Sequence, residues 1–230
     1  MSLSKAREPF AFKSQLSLVE LTGLKAADLA EMSEHLKRVP EASVYYHTHH
    51  FLQQHQFLTP EPPNDFAYWV KNVLQEELLG EELAAIDTVQ FTSLKALREA
   101  IVSEIDSFLE RDRTMRKAPP GQEFHFMQSV LFTLPTSYLA TDLREFSEGL
   151  KRVSMTSLYY HIFEARLRPP FGINDFSLWL EKNLEEHGLA REIARLDPYT
   201  HTMEALRKRI LYIVEERIKK EELAVNATTG

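Results

Sequence analysis

Leu36-Lys-Arg-Val-Pro-Glu-Ala-Ser-Val-Tyr-Tyr-His47 returns 114 residues later as Leu150-Lys-Arg-Val-Ser-Met-Thr-Ser-Leu-Tyr-Tyr-His161, with eight of the twelve positions identical. The same offset relates Phe10-Ala-Phe12 to Phe124-His-Phe126 and Asp28 to Asp142. Beyond the Tyr-Tyr-His block the first half carries four extra residues, after which Asn64-Asp-Phe-Ala-Tyr-Trp69 matches Asn174-Asp-Phe-Ser-Leu-Trp179. A long internal period decides architecture before any local pattern, because each copy must fold as the same supersecondary unit. The sequence therefore predicts a tandem duplication, with a first repeat unit over residues 1–115 and a second over residues 116–230. Between them Arg111 to Gly121, polar and rich in breakers, reads as a linker.

Each half opens on a period-two apolar alternation, Phe10, Phe12, Leu16, Leu18 and Phe124, Phe126, Val130, Phe132, Leu134, which predicts one strand per copy. Two such strands can pair in a small sheet. Helical patterns follow. Thr22 and Thr136 are candidate N-caps for a first helix ending near Val39 and Val153, and a second helix carries Tyr-Tyr-His from Glu41 to Gln56 and from Met155 to Leu167. Pro62-Pro63 and Pro169-Pro170 stop it. A third helix is capped by Asn64 or Asn174, with Asp65 or Asp175 at the positive end of its dipole. A short fourth helix ends near Asp87 and Asp197, and a long fifth spans 93–111 and 202–220. The expected fold is thus mainly α with a small β component: a duplicated five-helix unit of about 100 residues with an N-terminal strand, related by a pseudo-two-fold.

No apolar run reaches the roughly 18 residues of a membrane span, and no signal-peptide pattern opens the chain. With no cysteine, neither disulfides nor thiolate chemistry are open, which fits a cytoplasmic protein. A net charge of −7 argues against nucleic acid, whose binding depends on neutralising phosphates. That charge is lopsided. Residues up to 115 carry 11 basic and 18 acidic side chains, and the remainder 16 of each, so an anionic ligand would favour the second half. Phosphate-cradling glycine loops and a GxSxG nucleophile elbow are absent, and Glu76-Glu77 and Glu185-Glu186 read as solvated helix faces.

The Tyr-Tyr-His helix holds the residues that core packing does not explain. Placed at 100° steps, Met155, Leu158, Tyr159, Ile162 and Phe163 form its apolar stripe, whereas Ser157, His161 and Glu164 stack on another face. Three readings stand. The histidine is a structural residue satisfied by a backbone or carboxylate partner. Alternatively Tyr160, His161, Glu164, Arg166, Arg168 and Asp175 line a pocket for a small anionic or sugar-like ligand, with planar double hydrogen bonding from arginine and a stacking face from tyrosine. In the third, helical His/Glu spacing holds a metal; no third ligand recurs and HExxH is absent, so neither metal nor cofactor is expected. The first half replaces the glutamate and both arginines, reading His47-Thr-His49-His50-Phe-Leu-Gln-Gln54, and its histidine cluster occurs in one copy alone.

The pattern Ser-x-Tyr-Tyr-His, Phe163-Glu-Ala-Arg166, Asn-Asp-Phe-Ser-x-Trp and Leu196-Asp-Pro-Tyr199 resembles a family of uncharacterised bacterial and archaeal proteins, a domain of unknown function. The resemblance covers both halves and is closer in the second. It implies a fold unit, a bacterial or archaeal source and a loose association with carbohydrate-active enzymes, but no mechanism. Two functions are carried forward: a non-catalytic helical interaction or scaffold protein, forming a homodimer or engaging a protein partner, and a small-molecule binding protein or unrecognised enzyme with its site in the second half.

Overall fold

The computed structural model describes residues 4–50, 64–111, 116–167, 172–196 and 202–229. The proline pairs Pro62-Pro63 and Pro169-Pro170 lie outside them. Two strands of 17 residues, β1 (Phe10–Ala26) and β2 (Phe124–Ala140), pair antiparallel in one two-stranded sheet. The apolar alternation marks only their beginnings. Each strand continues through Thr22 or Thr136, whose hydroxyls are not helix caps but donate to the carbonyls of Phe126 (2.7 Å) and Phe12 (2.6 Å). The caps are Asp28 and Asp142, which accept from the backbone N–H of Glu31 and Glu145 at the N3 position of the following helix.

The chain forms two compact units, Ser17–Leu131 and a composite of Met1–Leu16 with Phe132–Gly230. In the contiguous unit the order is α1 (Leu29–Leu36), α2 (Glu41–Tyr45), a π turn (Tyr46–His50), α3 (Asp65–Asn72), α4 (Glu77–Ala84), a 3-10 turn (Thr88–Gln90) and α5 (Leu94–Arg111). The composite unit has α6 (Leu143–Arg152), α7 (Met155–Ile162), a 3-10 turn (Glu164–Leu167), α8 (Asp175–Asn183), α9 (His187–Ala194) and α10 (Met203–Thr229). Asn64 and Asn174 cap α3 and α8 as expected, each accepting a 2.8 Å bond, from Ala67 N–H and Ser177 N–H.

The expected fold class is corrected here. The chain is α/β, 59% helical with the antiparallel strand pair, and a duplicated five-helix unit carrying its own N-terminal strand is not what it forms. The reason lies in where the Phe-x-Phe pairs go. Phe10 and Phe12 are buried in the core of the composite unit, against Phe146, Phe176 and Trp179 of the second half. Phe124 and Phe126 are buried in the contiguous unit, with Phe66 and Trp69. Burial of two phenylalanines is worth about 1.5–3 kcal/mol each, so the strand ends follow their aromatic partners rather than their neighbours in sequence. The Tyr-Tyr-His helix of the second half tightens into the 3-10 turn after Ile162, and that of the first half widens into the π turn after Tyr45, its expected continuation over 51–56 lying outside the described residues.

Arg98 donates to Val39 O (2.8 Å) and Arg207 to Lys151 O (3.2 Å), satisfying carbonyls at the end of the first helix of each unit.

Candidate functional site

The site follows from two residues one helical turn apart. Ser154 caps α7 by accepting from Ser157 N–H (3.1 Å), which fixes the first turn. Ser157 and His161 then stack on one face at a spacing of four. That face meets β1. The Ser157 hydroxyl donates to Lys13 O (2.6 Å), and His161 Nε2 accepts from Lys13 N–H (2.8 Å), so one helix turn grips both backbone groups of a single strand residue. On its other side His161 Nδ1 lies 2.7 Å from Asp175 Oδ2, at the start of α8. Because Nε2 receives a backbone proton, a neutral ring must carry its own hydrogen on Nδ1 and donate it to Asp175.

The ring is buried, 4.9 Å from Phe10 and 5.4 Å from Phe176 between ring centres. With its lone pair engaged by Lys13 N–H, the imidazole acts as a backbone acceptor, in the place a neighbouring strand would fill.

In the contiguous unit His47 Nε2 accepts from Met127 N–H (2.9 Å) and Nδ1 faces Asp65 Oδ2 at 2.8 Å. Burial holds the His47 pKa below the ordinary histidine value, although Asp65 pulls it upward. Ser43, the counterpart of Ser157, is fully buried and its hydroxyl has no hydrogen-bond partner among the described residues. His49 is equally enclosed; its Nδ1 lies 2.8 Å from the Thr48 hydroxyl, and burial pushes its pKa down to about 4.

Of the residues singled out in the sequence, the structure joins His161 to Asp175 and places the Tyr160 ring edge-on to His161 at 5.0 Å. Glu164 is buried and accepts from Gln15 of β1 (2.5 Å). Arg166 reaches Ala194 O at the end of α9 (3.4 Å). Arg168 lies outside the described residues. Among the described residues no group of three or more His, Asp or Glu side chains could hold a metal ion, and no helix is long and apolar enough to cross a membrane.

Sequence reasoning missed the strand itself as the partner. Trp179 Nε1 donates to Glu8 O (2.9 Å), Ala6 N–H to Thr141 O (2.7 Å) and Arg7 N–H to Asn183 O (3.0 Å), so residues 6–13 are read along their backbone. In the contiguous unit Trp69 Nε1 donates to Gln122 O (2.7 Å) and Ala118 N–H to Ala27 O (2.7 Å). The available signal was the repetition of Phe-x-Phe together with Ser, His and Trp.

Residues 7–215 match the model of a family of unknown function, DUF5752. The chain belongs to this family. A solved structure described as "The structure of OrfY from Thermoproteus tenax" is 27% identical, with a TM-score of 0.78 over 94% of this chain and 98% of that one. No curated protein is similar to this DUF5752 chain, and neither the family description nor the OrfY structure assigns an activity.

Proposed function

We propose that this chain is a non-catalytic interaction protein that forms a homodimer through its paired strands. The observation that carries the reading is the exposure of large apolar side chains on β1 and β2: Leu18 is 50% exposed, Leu21 67% and Phe132 46%. A two-stranded sheet leaves both outer edges without a strand partner, and a long apolar edge is a template for pairing with another chain. Exposed apolar patches on soluble proteins mark contact surfaces. The engaged lone pair of His161 supports a non-catalytic role for the most distinctive polar residue.

The chain's origin fits the same reading: tandem duplication in a bacterial or archaeal ancestor, supported by the shared His, Asp and backbone arrangement, and residence in the cytoplasm, supported by the lack of cysteine. The test is light scattering across a concentration series. A dimer in the micromolar range that Leu18→Glu and Phe132→Glu each convert to monomer is expected. A monomer at every concentration, indifferent to both substitutions, refutes the reading.

A further inference from the structure

Residues 5–16 belong to the composite unit, and the Leu16–Ser17 bond is where the chain passes from it into the contiguous one. The segment is held in the composite unit in the manner of a bound peptide. Phe10 and Phe12 fill the aromatic pocket, and Lys13 is gripped at both N–H and C=O by His161 and Ser157. Trp179 takes the Glu8 carbonyl, and Thr136 takes that of Phe12. Main-chain hydrogen bonds combined with pockets for alternate side chains are the hallmarks of strand-addition recognition. By contrast Phe124 to Met127, the matching segment of the contiguous unit, lacks the serine clamp, because the Ser43 hydroxyl has no partner among the described residues.

We propose that the slot of the composite unit is an exchangeable strand-binding site, whose occupant is the Lys5–Leu16 segment of a second copy of this chain. Every contact above is to the segment itself, so an identical segment from another molecule satisfies the slot equally well, with Leu16–Ser17 as the hinge of the exchange. The two copies then each supply Lys13 to the other's His161 and Ser157. This inference does not depend on the exposed strand faces; it concerns a buried slot, and the two readings fail separately.

The absence of cysteine from the chain allows a direct test. The hydroxyls of Ser14 and Ser154 lie 3.4 Å apart, so cysteines at these positions meet only when a segment is seated in a slot. Full-length Ser14→Cys and Ser154→Cys chains, carrying different mass tags and a Leu18→Glu background that suppresses contact through the strand faces, are mixed and oxidised. The expected product is a mixed disulfide dimer whose yield rises with concentration and exceeds at least five-fold that of a Glu20→Cys control paired with Ser154→Cys. Weakening the segment with Phe12→Leu in both chains is expected to speed its appearance several-fold, and an excess of the free peptide of residues 4–16 to suppress it. The Ser14→Cys/Ser154→Cys double variant reports the geometry within one chain. If it closes its disulfide internally while the mixture never exceeds the control, the slot does not exchange and the proposal falls; if it fails to close at all, the seating itself is wrong and the proposal falls equally.

Discussion

Gly149→Ala tests how tightly the incoming strand is fitted to its helix. A β-carbon added at Gly149 on α6 would lie 2.5 Å from Phe12 Cε2, 3.0 Å from Cζ and 3.1 Å from Cδ2. Comfortable carbon contacts begin near 3.5 Å, so the ring must withdraw by about an ångström. Phe12 has little room to do so, being 1% exposed and packed on Phe146 at 5.6 Å. Overpacking of this kind costs about 1–3 kcal/mol, offset by up to about 1 kcal/mol from alanine's better helix propensity. The net loss is therefore about 1–2 kcal/mol, or about 2–8 °C in melting temperature for a chain of this size. Thermal melts of the single variant, of Phe12→Leu and of the pair close a double-mutant cycle, and the smaller side chain should recover at least about 0.5 kcal/mol of the alanine penalty. An alanine variant that melts higher than the parent, as it would on an open helix face, or a cycle with no coupling, refutes the close contact. In the contiguous unit the corresponding position is His35, whose ring meets Phe126 edge-on at 5.7 Å, so the same substitution there loses an aromatic contact instead of creating a clash.

Two other outcomes follow from the clamp and from the buried histidines. Ser157→Ala removes the donor to Lys13 O and should cost about 1 kcal/mol, whereas Ser43→Ala, which removes a buried hydroxyl without a partner among the described residues, should be neutral or slightly stabilising; urea denaturation of the two variants separates them, and equal losses would contradict the asymmetry. For His49, with a folded pKa depressed to about 4, the stabilisation is fully present above the unfolded value near 6.5 and disappears as the pH falls towards 4. The amount at stake is on the order of 3 kcal/mol, so denaturation midpoints should fall across that window and His49→Phe should flatten the fall; an unchanged pH profile in the variant would show that the ring is not the titrating group.

Much of the local order was readable. Asn64 and Asn174 announced their helices by cap chemistry, and the tryptophans at positions 69 and 179 lay on apolar stripes that the cores do use. The strand ends at Ala26 and Ala140 were not readable, because the exposed central residues carry no alternation to mark them. Nor did periodicity reveal that Phe10 and Phe12 pack with helices more than 130 residues away in sequence, since a period of two says which face is buried and nothing about what buries it. The polar face of α7 was located correctly as unexplained by its own helix, but its partner, a backbone amide, has no side-chain signature.

The division of the chain into Ser17–Leu131 and a composite of both flanks also orders events during synthesis. A ribosome completes every residue of the contiguous unit while most of the composite unit is still unmade, so the Phe10 and Phe12 side chains emerge well before the helices that bury them. Throughout that interval they are open to chaperones, to proteases and to a neighbouring nascent chain, and anything that lengthens the wait lengthens that exposure.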